Sequence, residues 1–380
     1  MGYASDKPQK GEHVMTITAN QGSHVLTMAV LLVVGLLLCS RGLSMAQALQ
    51  PACAQPKEVK GFLTCADVEK AEKEGALVYY GPDVERQLVG ILKKFNELFP
   101  AINTNQYLRE QTGRLYAKLN AERQAGTYFA DVLALSDYAP AFDLIKKQGY
   151  TIYISPQLVA FDKQFISETP GMFTWYSLGV AGMTYNTDVV LAAEAPKSWK
   201  DLLDPTWRAA INFKDSASGL QGVQWFVLRQ LYGDTFWKDM MQQKPRTLPS
   251  TVQQYERVIN REDKIIGLGQ YSTYLEFKAK GAPLAFVVPT EGVVSTPAIV
   301  GILDKAPHPE AAKLFIDWFL SPLGQAAHTQ LSFTYSPRQD VAPPPGAVPV
   351  SEMPILQLDW KAYIASHSKY VREWNALAGM

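Results

Sequence analysis

Histidine and cysteine are scarce, neither sign of charge is in excess, and the one pronounced apolar run is short. Five (5) histidines and 3 cysteines in 380 residues leave little imidazole or thiol for proton transfer, metal binding or covalent catalysis. The 36 basic residues are balanced by 36 acidic ones, so no broad field draws the chain to nucleic acid or to an anionic membrane surface. Specificity has to come from a local site. The sequence also has no Gly-x-Ser-x-Gly elbow, no His-Glu-x-x-His pair, no phosphate loop ending in Gly-Lys-Ser/Thr and no dinucleotide fingerprint.

The apolar run at residues 28–39 (MAVLLVVGLLLC) falls well short of the roughly 20 residues a membrane-spanning helix needs. Followed by Ala46-Gln47-Ala48, a small-residue cleavage pattern, it reads as a secretory signal peptide over residues 1–48. The expected location is therefore the periplasm. Cys39 leaves with the signal, and Cys53 and Cys65 remain as a pair in an oxidising compartment, where a disulfide is expected. Its short loop would tie down the N-terminal segment rather than hold the fold. Three histidines stay, His308, His328 and His367, none in a setting that suggests proton transfer. No enzymatic activity is expected, and no cofactor.

The pattern from residue 75 onward alternates strand-like and helical segments. Residues 76–80 read as a strand, a Gly81-Pro82-Asp83 turn follows, and Leu88, Ile91, Leu92, Phe95 and Leu98 recur at helical spacing. Residues 103–108 and 130–135 read as two further strands with a helix between them. This alternation predicts an α/β fold built on parallel strands covered by helices. Residues 174–186 (TWYSLGVAGMTYN) are long, extended and without helical period, which suits a strand crossing from one lobe to another. The same grammar then repeats: a strand at 209–213, a Ser216-Ala217-Ser218-Gly219 turn, a helix to about Tyr232, and a strand at 264–269. Residues 283–289 (PLAFVVP) suit a second crossing. The expected divisions are residues 49–173 for the first part of lobe 1, 174–288 for lobe 2 with a hinge strand at each end, and 289–380 for the return to lobe 1 and the C-terminal helices. Residues 309–320, with Pro309, Glu310 and an apolar face of Leu314, Phe315, Trp318 and Phe319, read as a helix.

Several strands in this reading end in polar or glycine-containing turns that open a helix: Gly81-Pro82, Thr112-Gly113-Arg114, Ser136-Asp137, the 216–219 turn and Gln270-Tyr271. Helix first turns carry free N–H donors and a partial positive charge, and open α/β sheets bind ligands beyond the carboxyl ends of their strands. Arg114 could clamp an oxyanion with two parallel hydrogen bonds or simply sit on an exposed turn. Tyrosines near strand ends, Tyr80 and Tyr271 among them, could line a cleft.

Residues 196–205 (PKSWKDLLDP), Pro289-Thr290-Glu291-Gly292 and 306–325 (APHPEAAKLFIDWFLSPLGQ), in that order, resemble extracellular solute-binding proteins of ABC importers with the type 2 periplasmic-binding fold. The resemblance implies two α/β lobes joined by two crossing strands, a small polar or anionic solute held between them, a membrane permease as partner, and a monomer. Carried onto matching positions, the family's cleft nominates Tyr80, Gly81, Thr112, Arg114, Ser136, Ser216, Ser218, Tyr271 and Glu291 for ligand binding; Glu291 could instead serve the hinge. Ferric-binding members of this family place two adjacent tyrosines after a lobe 2 strand, and here the position reads Gln270-Tyr271-Ser272. Ferric iron held by Tyr271 with a synergistic anion is the second reading, and a secreted enzyme on the same scaffold the third.

Overall fold

The computed structural model describes residues 49–215 and 219–378; the expected signal peptide lies outside them. Cys53 and Cys65 are disulfide-bonded with Cα atoms 5.6 Å apart. The bond closes onto a hairpin of β1 (Lys57–Val59) and β2 (Phe62–Thr64). Lys60 and Gly61 link these strands with φ of 48° and 87°, the doubly left-handed turn that matches strand twist. Helix α1 (Val68–Glu74) follows, capped by Asp67, which accepts from the Lys70 N–H, and ended by Gly75 in the left-handed region.

The first half is the expected alternation: β3 (Tyr79–Gly81), α2 (Glu85–Leu98), β4 (Tyr107–Arg109), α3 (Thr112–Gln124), β5 (Val132–Leu135) and α4 (Tyr138–Lys146). β3 lies between β4 and β5, parallel to both. Strand β6 (Thr174–Asn186) has the bounds its composition predicts, and it is buried along nearly its whole length. Beyond it, β7 (Ile211–Lys214), α5 (Leu220–Tyr232), α6 (Phe236–Gln242), β8 (Arg246–Leu248), α7 (Thr251–Ile259) and β9 (Ile265–Gln270) repeat the arrangement, with β7 parallel to β8 and β9. Helix α8 (Tyr271–Ala279), β10 (Leu284–Val287) and β11 (Val294–Ile302) complete this part, and α9 (Pro309–Phe319), α10 (Pro322–Ser332) and α11 (Trp360–Ala378) end the chain. Apart from the β1–β2 hairpin, one sheet runs through both halves in the order β4-β3-β5-β11-β6-β9-β7-β8, with β10 added on β6.

The second crossing differs from expectation. β10, within residues 283–289, pairs only with Met183–Asn186 at the second-half end of β6. β11 makes the crossing instead: it runs antiparallel to β6 from Val294↔Ala181 to Val300↔Thr174 and pairs β5 on its other edge. Gly292, with φ of 117°, turns the chain between β10 and β11 where a Cβ would meet the Pro354 carbonyl oxygen at 2.7 Å. The last helix also leaves the first half. Trp374 of α11 is buried against Phe213, Trp225 and Trp237 of the second half, and its indole N–H donates to the Asp215 carbonyl at 2.6 Å.

Two buried titratable groups pull the pH response of the first half in opposite directions. Asp317 on α9 accepts from Thr64 and Tyr153 hydroxyls, each at 2.6 Å, and from the Cys65 N–H at 3.0 Å; burial outweighs these bonds and lifts its carboxyl to about 6. His328 on α10 lies between the rings of Tyr176 and Phe319, and burial draws it down to about 4. The signs oppose. A raised carboxyl contributes stability that is full below the unfolded value and lost as pH rises through the folded one; a lowered imidazole contributes stability lost as pH falls below its unfolded value. Between about pH 4 and 6 the two slopes offset each other. Asp317→Asn should therefore leave stability rising with pH across that window, and His328→Gln should leave it falling. Urea melts at a series of pH values check this, and parallel profiles for both variants would refute it.

Candidate functional site

The carboxyl ends of β3 and β5 meet at a set of fixed polar groups. The hydroxyls of Tyr79 and Tyr176 donate to the two oxygens of Asp83, at 2.9 and 2.7 Å. Burial, then the Asp83 charge, push both phenols well up, so they stay protonated donors. Gly81 is required there, because a Cβ would stand 2.4 Å from the Tyr79 ring. Tyr80 points the other way, as strand alternation demands. Its hydroxyl donates to Glu122 at 3.0 Å near the far end of α3, which also holds Lys118 at 2.8 Å. Tyr80 thus belongs to the packing of the first half.

Thr112, the first residue of α3, hooks Ser136 at the end of β5: the Ser136 N–H donates to the Thr112 hydroxyl at 3.1 Å, and the two hydroxyls are 3.0 Å apart. Arg114, one helical step on, is 76% exposed and 3.8 Å from Glu110, a solvated surface pair worth little. Asp137 caps α4 by accepting from the Ala139 N–H at 3.1 Å. Its other oxygen faces Nε2 of His367 on α11 at 3.4 Å.

In the second half Gly219, with φ of 58°, opens α5; Ser216 and Ser218 lie outside the described residues. Tyr271 opens α8 and is 5% exposed. Its ring stacks parallel to Tyr335 at 6.1 Å and lies 4.6 Å from Phe286. The Val348 N–H donates to its hydroxyl at 3.4 Å, while Tyr335 donates to the Val348 carbonyl at 2.6 Å. The segment after the Pro343-Pro344-Pro345-Gly346 stretch thus closes over Tyr271. Glu291 is taken up by the scaffold: it accepts from the Tyr232 hydroxyl, from the Trp199 N–H at 3.3 Å and from Thr290 at 3.2 Å.

A narrow crevice lies between the halves. Ser136, Asp137 and Tyr138 form its first-half wall and Gly219 with Val223 its second-half wall. Thr296 and Pro297 of β11 make the floor, and Trp360 with Tyr363 of α11 close one side. Of the residues nominated from sequence, Ser136 lines the crevice, with Thr112 bonded to it; Tyr80, Arg114, Tyr271 and Glu291 are spent elsewhere. The wall from α11 was missed. Its one signal was Trp360, Tyr363 and His367 on a single helix face, a spacing that reads equally as core. Among the described residues no three His, Cys, Asp or Glu side chains converge to hold a metal ion.

Two parallel α/β wings, strung on an antiparallel strand pair with a crevice at their strand ends, define the type 2 periplasmic-binding fold. Solved structures agree. Iron-bound HitA from Pseudomonas aeruginosa superposes with a TM-score of 0.69 at 20% identity, covering 80% of this chain and 99% of its own. AfuA from Actinobacillus pleuropneumoniae, with exogenous fructose-6-phosphate bound, gives 0.68 at 22% identity over 80% and 99%. Residues 129–361 match the bacterial extracellular solute-binding protein family, and the chain belongs to it. An uncharacterized protein of Haemophilus influenzae is 29% identical over 274 residues, 67% of this chain and 75% of that protein.

The polar contacts rank themselves by burial. Asp83→Ala would strand two buried phenols and should lower unfolding free energy by about 2–4 kcal/mol, whereas Arg114→Ala should change it by less than about 0.5 kcal/mol. Denaturant melts of both variants decide, and equal effects would contradict this ranking.

Proposed function

We propose that this protein is a periplasmic receptor, exported through a cleaved signal peptide, that captures a small polar solute between its halves and presents it as a monomer to the permease of an ABC importer. The observation that carries this reading is the crevice, where strand ends and helix starts of both halves face each other across β11. A solute touching both walls favours the closed arrangement by its differential contacts, and the permease distinguishes closed from open. Family membership supports capture over catalysis, because members are binding proteins. Thermal-shift and calorimetric screening of the purified protein against metals, carboxylates, phosphorylated compounds and polyols should find one class that binds saturably and raises the melting temperature. Absence of any binder would contradict the reading.

Ferric iron is the second reading, favoured by the iron-bound HitA likeness in fold. Against it stands the enclosure of Tyr271 by Tyr335, Phe286 and Val348. Protein loaded with ferric citrate should stay colourless; a visible tyrosinate-to-iron absorption band would establish iron as cargo instead.

A further inference from the structure

The chain between α10 and α11 is fixed at both ends and loose in the middle. Near its start, Tyr335 pairs with Leu178 of β6 through backbone bonds of 2.9 and 3.3 Å. Arg338, 6% exposed, donates to the Leu320 carbonyl at 3.0 Å and to Asp340 at 2.6 and 2.8 Å. Near its end, the Val293 N–H donates to the Pro354 carbonyl at 2.7 Å and the Leu356 N–H to the Val293 carbonyl at 2.9 Å. Residues 341–350 (VAPPPGAVPV), between these anchors, carry no charged side chain and are mostly exposed. Among the described residues, and apart from turns along the segment itself, Val348 alone hydrogen-bonds it to the rest of the molecule. The Val348 carbonyl accepts from the Tyr335 hydroxyl at 2.6 Å, and its N–H donates to the Tyr271 hydroxyl over a long 3.4 Å.

A segment held by so little opens at far lower cost than the whole protein unfolds. Ala347 and Val350 rest against the cluster that contains Tyr271 and Leu275, but Val348 itself is 40% exposed. Pro343, Pro344, Pro345 and Pro349 remove N–H donors and fix φ, so the segment swings as a stiff piece rather than dissolving into a floppy loop. What it covers is the carboxyl end of β9, the kind of position at which an open α/β sheet meets a ligand. We propose that residues 341–350 form a self-inhibiting strap: Val348 occupies the hydrogen-bonding positions of Tyr271 and Tyr335, and the strap lifts as a unit to free those two hydroxyls for a solute. That a solute takes them rests on the receptor reading; the lifting itself does not. Lifting leaves Phe286 and the stacked Tyr335 ring in place around Tyr271. It creates no ferric site, since among the described residues no three His, Cys, Asp or Glu side chains converge to hold a metal ion.

A reversible lock tests the strap. A Cβ at Gly346 would lie 3.9 Å from Leu275 Cδ2, so Leu275→Cys/Gly346→Cys should oxidise to a disulfide that holds the segment down. The same variant, reduced with a phosphine, controls for any damage done by the substitutions, and wild type in that reductant controls for the Cys53–Cys65 bond. Acetylation of the Tyr271 hydroxyl by N-acetylimidazole, read by mass spectrometry of the tryptic peptide 265–278, should be suppressed about tenfold in the oxidised variant and recover on reduction. In wild type its rate should be insensitive to about 1 M urea, because local opening exposes little surface. Equal acetylation of both forms, a wild-type rate that climbs with urea as global unfolding does, or failure of the pair to oxidise would each overturn the strap. Calorimetric titration with ferric citrate, D-fructose 6-phosphate and myo-inositol reads the consequence: a probe that binds the reduced variant should bind the oxidised one about tenfold more weakly. Equal affinity would overturn the strap and leave the receptor reading intact. Silence from every probe, with acetylation behaving as expected, would support the strap and count against the receptor reading.

Discussion

Both halves of the protein hang on one antiparallel strand pair. Among the described residues, β6 and β11 are the only strands through which the sheet passes from the first wing to the second, and their pairing extends from Val294↔Ala181 to Val300↔Thr174. Because β11 also pairs β5, and β6 also pairs β9, the pair is interior to the sheet and has no free edge. Each wing carries its own helices and a large buried cluster, and a further cluster packs Tyr271 and Leu275 of the second half with Tyr138 and Trp175 of the first, while these two strands alone continue the sheet between the described parts of the halves. The crevice lies directly over them, with Thr296 and Pro297 as its floor. The proposed binding site thus lies on the strands that join the halves.

The third connection is side-chain packing rather than sheet. α11 buries Trp374 in the second half, and removal of such a side chain costs about 3–5 kcal/mol. Its contacts to the first half are fewer and more polar at one end, Trp360 on Tyr138 and His367 beside Asp137. An element held firmly on one side and lightly on the other travels with the firmly held half. Opening of the crevice would therefore part α11 from α4, not from α5.

Strong local patterns were readable from sequence, and distant assembly was not. β6 declared itself because thirteen extended, mostly apolar residues with no helical period fit little else. β11 was hidden by Ser295, Thr296 and Pro297, which interrupt the apolar pattern just where the strand floors the crevice. Residues 283–289 looked more strand-like but have only the end of β6 to pair with. Of the adjacent Tyr79 and Tyr80, alternation sends Tyr79 to Asp83 and Tyr80 to Glu122. Thr112 and Ser136 were singled out because strand-end turns that open helices follow a local rule, and the structure brings the two into contact. Tyr271 obeyed the same rule yet is covered by Phe286 and, from more than sixty positions away, by Tyr335 and Val348, and Trp360 and Tyr363 reach the crevice from the far end of the chain. No local pattern encodes such encounters.

The central claim is that the halves close on a solute about the β6–β11 hinge. Small-angle X-ray scattering of the purified protein, with and without a saturating binder, tests it most directly. The account predicts a smaller radius of gyration with solute bound and a larger one after its removal. Identical scattering in both states, with binding verified in the same samples, would contradict it.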